Sequence, residues 1–461
     1  MPRETTFSEF LRNLSTQFEN KGLKRGLVSI SLKIPSLDLI ELYKCFFEKH
    51  EFSSFWEENE FSSYIALDKC QSFQFNGEDK FDKAKDFTKK LFKEIVPFYY
   101  QKDNLPLSKV IYFSSFSDND LKNSVNDNVP GIEAVLPRLL IIKQSNNCWL
   151  KIHHELDNPL FFKDLLKEIW SYKNQIINRK IIFKKENSQN IDEIKKFNLY
   201  LNKYNKDLKK DVLEGIDLVN QGILEKIVLC KRINYEINHQ LDIFQILMNF
   251  RLKISNSCIY VWKRNHKDIT FGTSPEKLFS LKDKLLSLEA IAGTAKANSS
   301  DKLLLKSSKD IREHDFVINY LIDSLRLLKI PTYKKGDLKV VSFGPISHLS
   351  TQIKSHCENY CPFDFLKILH PTPAVSGLPK DKSIIYIEKI ESFSRDNYAS
   401  PIGWVDSLGN ADFRVSIRGA RLINNKLELT AGAGIVEGSV LEKELEEINL
   451  KISVLVELIF S

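Results

Sequence analysis

The sequence predicts an α+β fold of large, mostly antiparallel β-sheets with helices packed outside. Apolar runs with period-two alternation and β-branched residues recur along all 461 residues, as in LVSISLKI (27–34) and KIVLCKRINYEI (226–237). Amphipathic helical stretches are fewer than these strands, so most strands must be joined as hairpins rather than through helical crossovers. A hydrophobic content of 43% and a charged content of 28% are ordinary for a globular protein.

The first 190 residues alternate strand-like and helix-like segments. Strands are predicted at 27–34, 109–116 and 134–144, and amphipathic helices at 81–95 and 158–176. The charged stretch RKIIFKKENSQN (179–190) is predicted to be a connection. We therefore expect an N-terminal α/β part over residues 1–190, which could also belong to the same large sheets as the rest of the chain. This part contains no catalytic constellation.

The second part begins at about residue 199. Its first helix is expected to end at Gly222, because glycine readily takes the left-handed conformation that follows a helix. Two further helices are predicted, from Asp242 to about Lys253 and at 309–328. Strands are predicted at 226–237, 258–263, 269–272, 285–289, 340–343, 348–353, 403–405, 411–417, 420–423 and 426–430.

Composition excludes several classes of protein. No stretch approaches the roughly 20 apolar residues that a membrane span needs, and the N-terminus MPRETTFSEFLRNLS lacks the apolar region of a signal peptide. A cytoplasmic or organelle-stroma-like location without membrane contact is therefore expected. The net charge is +7, but the basic residues are scattered among acidic ones and do not form a positive stripe, which argues against nucleic-acid binding. The seven cysteines are irregularly spaced and are expected to be free thiols.

Short motifs in the second part are more specific. HPTPAVSGLP (370–379) places three prolines and a glycine around small side chains, which makes a rigid turn that a ligand can approach closely. The others are GTSPEKL (272–278), AIAGTA (290–295), SIRGAR (416–421), AGAGIVEGS (431–439) and ELEEINLK (444–451). In this order the motifs resemble the chorismate-utilising enzymes, which include isochorismate, anthranilate, aminodeoxychorismate and salicylate synthases. The resemblance implies a chorismate-binding catalytic region over residues 199–461.

Carboxylates on two predicted helices are candidate metal ligands. Glu444, Glu447 and Lys451 share one helix face, and Glu313 lies near the start of another helix. By themselves these residues could form solvated helix faces with a salt bridge. The resemblance implies instead that Glu313 and Glu447 bind Mg²⁺ directly and that Glu444 supports it through water. Mg²⁺ is thus the expected cofactor, and a hard ion of this kind prefers carboxylates.

Lys226 and Glu276 are the candidate catalytic pair. Lys226 begins a predicted strand and shares its face with Val228 and Cys230. A lysine in apolar surroundings can become neutral and take a proton from water, whereas the alternative is a surface lysine at a strand end. The resemblance implies that Lys226 is the base and Glu276 the acid that protonates the hydroxyl leaving C4. The alternative for Glu276 is an acid in the first turn of a helix.

The resemblance also assigns residues that would hold the substrate. Gly293 and Thr294 are expected at the ring carboxylate, and Arg418 at the enolpyruvyl carboxylate, for which a planar guanidinium is suited. The remaining expected contacts are the amides of Gly432 and Gly434, the Lys451 charge, the loop residue Ala374, and His348, which would position groups near the leaving hydroxyl. His348 could also be a core histidine with satisfied hydrogen bonds.

These residues favour isochorismate synthase, an Mg²⁺-dependent isomerase that converts chorismate by adding water at C2 and losing the C4 hydroxyl. In the resembled family, isochorismate synthases tend to have alanine at the position of Ala374, where the lyase members often have threonine. The resemblance therefore disfavours salicylate synthase, which would also eliminate pyruvate. In the same family the ammonia-using anthranilate and aminodeoxychorismate synthases typically have glutamine at the position of Lys226, and some of the latter have a nucleophilic lysine at the position of Ala292. The resemblance therefore disfavours both, and no glutaminase partner is expected. A non-catalytic chorismate-binding relative is a further alternative, but the base, the acid and the metal carboxylates are all present. We expect a monomer, and by analogy a role in menaquinone or phylloquinone biosynthesis.

Overall fold

The computed structural model describes residues 6–101, 105–117, 129–178, 197, 205–237, 240–297, 304–330 and 333–461. The predicted connection at 179–190 lies outside these residues. The described helices are α1 (Phe7–Lys21), α2 (Leu39–Phe46), α3 (Lys80–Glu94), α4 (Phe161–Ile177), α5 (Asn205–Asn220), α6 (Ile243–Lys253), α7 (Ser308–Leu327), α8 (Pro362–Leu369), α9 (Lys380–Ile390) and α10 (Leu441–Phe460).

The described strands occur along the whole chain. The first ten are β1 (Gly26–Ile34), β2 (Ser53–Asn59), β3 (Ser62–Phe75), β4 (Val96–Tyr99), β5 (Lys109–Ser114), β6 (Ile132–Gln144), β7 (Asn147–Leu156), β8 (Lys226–Glu236), β9 (Cys258–Asn265) and β10 (Asp268–Ser274). The second ten are β11 (Lys277–Lys282), β12 (Leu285–Lys296), β13 (Lys334–Lys335), β14 (Lys339–Phe343), β15 (Ile346–His356), β16 (Gly377–Leu378), β17 (Pro401–Asp406), β18 (Ala411–Val415), β19 (Gly419–Ile423) and β20 (Lys426–Val436).

Hydrogen bonds join these twenty strands into one branched sheet. One run passes from β16 through β8, β20, β19, β10, β9, β2 and β3 to β6. From β6 one branch continues through β7 and β1 to β4, and the other through β5, β17, β18, β11 and β12 to β15. Among the described pairs only β1 and β4 run parallel. The predicted α+β fold with mostly antiparallel sheets is therefore confirmed.

Strands from the first 190 residues pair directly with strands of the second part. β2 lies beside β9, with Phe55 opposite Val261. β5 lies beside β17, with Phe113 opposite Ile402 and Tyr112 opposite Gly403. The aromatic side chains of Trp56, Tyr64 and Trp262 share a small core on one face of these pairs. The backbone hydrogen bonds thus run across the expected junction between the two parts.

The strand β12 is longer than predicted. The sequence predicts that it ends at residue 289, but pairing with β15 carries it through AIAGTA to Lys296. Alanine and glycine are poor strand formers, so tertiary pairing overrides local preference here. A register shift lies between Ala292 and Ala295, and Gly293 takes a left-handed φ of +73°. The irregularity places this motif at the edge of the candidate site.

The helices cover the sheet from outside. α7 packs on β12, β15 and β20, and α10 packs on β20 and on α5 and α6. The helix α6 begins after Asp242, whose carboxylate accepts hydrogen bonds from the backbone N–H groups of Phe244 and Gln245. The helix α5 is followed by Gly222 at φ +69°, as predicted. Within the described ranges no helix is long and apolar enough to cross a membrane.

Candidate active site

The predicted site residues converge on one cavity between α7, α10 and the strands β8, β12, β15 and β20. Eleven of the thirteen line it: Glu276, Gly293, Thr294, Glu313, His348, Ala374, Arg418, Gly432, Gly434, Glu447 and Lys451. Lys226 does not line the cavity but contacts Glu313, which does. Glu444 lines an adjacent cavity that shares Thr294 and Glu447 with the first. Motifs far apart in the sequence therefore meet at one place.

Lys226 is the first residue of β8, and its side chain is completely buried. The alternative of a surface lysine at a strand end is therefore wrong. Its Nζ donates a hydrogen bond of 2.9 Å to Glu313 Oε1 in the second turn of α7. A buried ammonium without a partner would be costly, and this ion pair supplies the compensation. Glu313 thus stands between Lys226 and the cavity.

Two glycines let this part of the wall pack closely. A Cβ added at Gly434 would overlap Glu313 Oε1 and would lie 3.2 Å from Lys226 Cε. Gly293 has a positive φ, and a Cβ there would lie 3.0 Å from the Asp310 Cβ of α7. A side chain at Gly434 would displace the Glu313 carboxylate, and one at Gly293 would press against α7 at Asp310.

Glu276 lies in the short link between β10 and β11, directly after Pro275. It is not in a helix, so the alternative of a first-turn helical acid is wrong. Only 6% of the residue is exposed, and Thr372 Oγ1 donates a 3.2 Å hydrogen bond to Glu276 Oε1. Burial raises the pKa of this carboxyl to about 7, although Thr372 and the charges of Lys226 and Lys451 oppose the rise. A carboxyl with this pKa can donate a proton at neutral pH.

His348 and Arg418 form a second polar unit. His348 Nδ1 lies 2.8 Å from the Gly293 carbonyl oxygen, which can only accept, so this nitrogen carries the hydrogen. Its Nε2 then accepts from the Arg418 guanidinium at 3.0 Å. Burial and the positive charges of Arg418 and Lys451 lower the His348 pKa to about 3. His348 is therefore neutral and orients Arg418, and it is not free to act as a base.

Arg418 is itself held in an unusual conformation. Its φ is +52°, in the left-handed region that non-glycine residues rarely adopt. Burial lowers the pKa of its guanidinium, although Tyr398 and Glu447 oppose this. Tyr398 also lines the cavity and shares a hydrogen bond with the Cys230 thiol. Tyr398 was not among the predicted site residues, although it lies in NYASPIGW, where a tyrosine between small and polar residues is a usable signal.

Three glutamates of the site each contact a lysine. Besides Lys226 and Glu313, Lys451 Nζ lies 2.7 Å from Glu447 Oε1 and donates to the Gly432 carbonyl at 2.8 Å. Lys309 Nζ lies 2.5 Å from Glu444 Oε1. Burial opposes ionisation of Glu447, but Lys451 and Lys309 together hold its pKa below the usual value. Burial raises the pKa of Glu444 despite Lys309.

The same glutamates are the candidate metal ligands. Within the described part of the chain no group of three or more His, Cys, Asp or Glu side chains is arranged to hold a metal ion. Glu444 nevertheless has a buried Oε2 with no hydrogen-bond partner, and Glu444 is only 1% exposed. An orphaned carboxylate oxygen beside Glu447 fits a hard cation, which takes carboxylate oxygens and water. The alternative, in which Glu444 lies on a solvated helix face, is wrong because this residue is buried.

Two of the positions that distinguish members of the resembled group, besides Lys226, also face the cavity. Ala292 and Ala374 both line it, and neither side chain carries a nucleophile or a hydrogen-bonding group. Around them the wall combines a buried acid, a lysine paired with a carboxylate, and an arginine suited to a carboxylate ligand. The arrangement can therefore bind a small dianion and donate a proton to it.

Comparisons with known proteins agree with these motifs. Isochorismate synthase MenF of Haemophilus influenzae is 29% identical over 267 residues, which are 55% of this chain and 62% of that relative. Anthranilate synthase component 1 of Saccharolobus solfataricus is 30% identical over 267 residues, which are 55% and 63% of the two chains. This chain thus matches less than two thirds of the length of either relative.

The fold is similar over a greater length. The structure of MenF, the menaquinone-specific isochorismate synthase from Escherichia coli, superposes with a TM-score of 0.75 over 99% of this chain and 100% of that chain. The sequence identity is 20%, so this likeness shows the fold alone. The sequence model described as chorismate binding enzyme matches residues 11–460, well beyond the resemblance that began near residue 199. The chain therefore belongs to the family of chorismate binding enzymes.

Proposed function

We propose that this protein is an isochorismate synthase. The observation that carries the proposal is Glu276, a buried carboxyl with a pKa of about 7 in a cavity whose wall includes Glu313, the partner of Lys226. A proton donor and a lysine near one ring are what substitution of a C4 hydroxyl by a C2 hydroxyl requires. Relatives named isochorismate synthase and the residues Lys226, Ala292 and Ala374 support the same activity.

In this proposal each proton has a stated source and destination. Lys226, once released from Glu313 and unprotonated, takes a proton from water as the water oxygen bonds to C2. Glu276 gives its proton to the C4 hydroxyl, which leaves as water, while the ring double bond shifts. Arg418, oriented by His348, binds the enolpyruvyl carboxylate, and Lys451 with Thr294 faces the ring carboxylate. The neutral His348 has both nitrogens in use and transfers no proton.

Mg²⁺ is part of the proposal as the cofactor. Glu313 and Glu447 would hold it, with Glu444 in support, and it would stabilise negative charge at the ring carboxylate. Each of these glutamates has one carboxylate oxygen in contact with a lysine. Mg²⁺ binding would therefore require the lysine ammonium groups to move away from those oxygens. The free Glu444 Oε2 and the position of Glu447 on both cavities support this assignment.

A single incubation tests the function. Chorismate is added with Mg²⁺, with and without a chelator, and the products are separated chromatographically. We expect isochorismate without any need for glutamine or ammonia, and little pyruvate. Stoichiometric pyruvate with fluorescent salicylate would make the protein a salicylate synthase. Anthranilate or aminodeoxychorismate formed from ammonia would contradict the roles of Lys226 and Ala292.

The remaining expectations are part of the same proposal. Isochorismate would feed menaquinone or phylloquinone synthesis, and the enzyme would act in the cytoplasm as a monomer without a glutaminase subunit. The seven free cysteines support a reducing compartment. Light scattering in solution tests the monomer, and growth of a quinone-deficient strain that carries this gene tests the pathway.

A further inference from the structure

We propose that Thr372 is a positioning residue for Glu276. Its hydroxyl donates to one carboxyl oxygen and so directs the acidic proton of Glu276 onto the other oxygen. This inference rests on the proposed function, in which Glu276 is the proton donor. Thr372 is the third residue of HPTPAVSGLP, and it is not among the predicted site residues.

The hydrogen bond fixes where the proton can sit. Thr372 and Glu276 are 4% and 6% exposed, and Thr372 Oγ1 lies 3.2 Å from Glu276 Oε1. Among the described residues this oxygen is the only hydrogen-bond acceptor of the Thr372 hydroxyl. A proton on Oε1 pointing at Thr372 would leave the threonine hydrogen buried without an acceptor, which is costly. A proton on Oε1 pointing elsewhere would make Thr372 donate to the hydroxyl oxygen of the acid, which is a poorer acceptor than its carbonyl oxygen. The protonated acid therefore carries its hydrogen on Oε2.

The hydroxyl is held in place by its own turn. The Thr372 carbonyl accepts hydrogen bonds from the Val375 N–H at 3.1 Å, the Ser376 N–H at 2.9 Å and the Ser376 hydroxyl at 2.9 Å. This turn is itself attached to the sheet, because the Ser376 carbonyl accepts a hydrogen bond from the Val228 N–H of β8 at 2.6 Å. The Val375 carbonyl accepts from the buried Arg395 guanidinium at 2.7 Å. Thr372 is thus anchored to the strand that carries Lys226.

Other charged groups act on Glu276 from several elements. Lys226 of β8 and Lys451 of α10 favour the ionised carboxylate, and Glu289 of β12 opposes it. Burial has the largest effect and favours the neutral acid, and the Thr372 hydrogen bond is the largest opposing influence. Removing this hydroxyl would leave the lysines and Glu289 unchanged. A variant at Thr372 therefore isolates the effect of one hydrogen bond.

The test is the pH dependence of kcat/KM for Thr372→Val, an isosteric change that removes the donor. The wild-type profile should fall as pH rises through about 7, when Glu276 loses its proton. Without the hydrogen bond this alkaline limb should move upward by about one pH unit, the size expected for a lost bond to a carboxylate. The plateau should fall by about tenfold, because the proton is no longer confined to one oxygen. Thr372→Ser keeps the hydroxyl donor, so its alkaline limb and its plateau should both match those of the wild type.

Ser376→Ala is the matched control. Ser376 is fully buried in the same turn and bonds the Thr372 carbonyl, but it does not contact Glu276. The backbone N–H groups of Val375 and Ser376 still bond the Thr372 carbonyl in this variant, so the alkaline limb should stay in place. A Thr372→Val enzyme with the wild-type limb would overturn the inference, even if activity fell at every pH, because that pattern indicates packing alone. An equal shift in Ser376→Ala would overturn it as well.

A spectroscopic readout separates this inference from the proposed function. The infrared carbonyl band of protonated Glu276, assigned by its loss in Glu276→Gln, can be titrated without turnover. Its midpoint should move upward in Thr372→Val and return in Thr372→Ser. If Glu276→Gln kept wild-type turnover, the role of Glu276 as proton donor would fail, and the role of Thr372 in catalysis with it. If the midpoint did not move, the inference about Thr372 alone would fail.

Discussion

Gly434→Ala is the most direct probe of the contact between Lys226 and Glu313. The added Cβ would overlap Glu313 Oε1, so the carboxylate must move by about 1 Å to reach ordinary van der Waals separation. The Cβ would also lie 3.2 Å from Lys226 Cε, which leaves little room on the other side. A displacement of this size in a catalytic group lowers turnover by about 10²-fold. We therefore expect such a loss in the conversion of chorismate to isochorismate.

Two controls separate this effect from damage to the fold. Gly336→Ala adds a Cβ whose nearest neighbour lies at 3.4 Å, an ordinary contact, and it should retain wild-type turnover. Gly434→Ala should unfold at nearly the wild-type temperature, since loss of glycine also restricts the unfolded chain by about 0.4–1 kcal/mol. Combined with Glu313→Gln, it should add almost no further loss, because both changes act on one carboxylate. Near-native turnover of Gly434→Ala would refute this account of the contact.

Three further predictions concern the proposed chemistry. Glu276→Gln should lower turnover by roughly 10²–10⁴-fold with little change in chorismate affinity, and near-native turnover would exclude Glu276 as the acid. Lys226→Arg keeps a cation beside Glu313 but cannot accept a proton, so it should lose as much turnover as Lys226→Met. If the arginine enzyme were active, the lysine would be structural. Glu447→Gln should weaken Mg²⁺ binding in calorimetry, whereas Glu442→Gln, an exposed change on the same helix, should not. Full activity after chelator treatment would contradict the metal assignment.

Local signals in the sequence predicted many of the elements with their approximate bounds, but they did not predict the helices α1, α2, α8 and α9 or the strands β2, β3, β4, β7, β11, β13 and β16. β8 begins at Lys226, and α6 begins after its Asp242 cap, because capping residues and alternation act over a few neighbours. The extension of β12 to Lys296 could not be predicted in this way. Ala290–Ala295 has the composition of a loop, and it forms a strand only because β15 lies beside it.

The candidate site shows the same difference between what local sequence signals predict and what depends on tertiary structure. The motifs predicted which residues face the cavity, but they could not predict the partners of those residues. Glu313 is 87 positions from Lys226 and neutralises it, and Thr372 is 96 positions from Glu276 and bonds it. These contacts depend on how the strands pair and how α7 packs. The neutral state of His348 likewise follows from Gly293 and Arg418, which only the tertiary structure brings to its two nitrogens.

The pairing of β2 with β9 and of β5 with β17 limits how far the protein can be shortened. Neither β2 nor β5 contributes a residue to the cavity. A chain that started at residue 197 would nevertheless leave β9 and β17 with one free edge each. Unpaired backbone donors and acceptors on such edges recruit strands from other molecules. A minimal version of this protein that kept every cavity residue but lacked these two strands would therefore aggregate before it could be assayed.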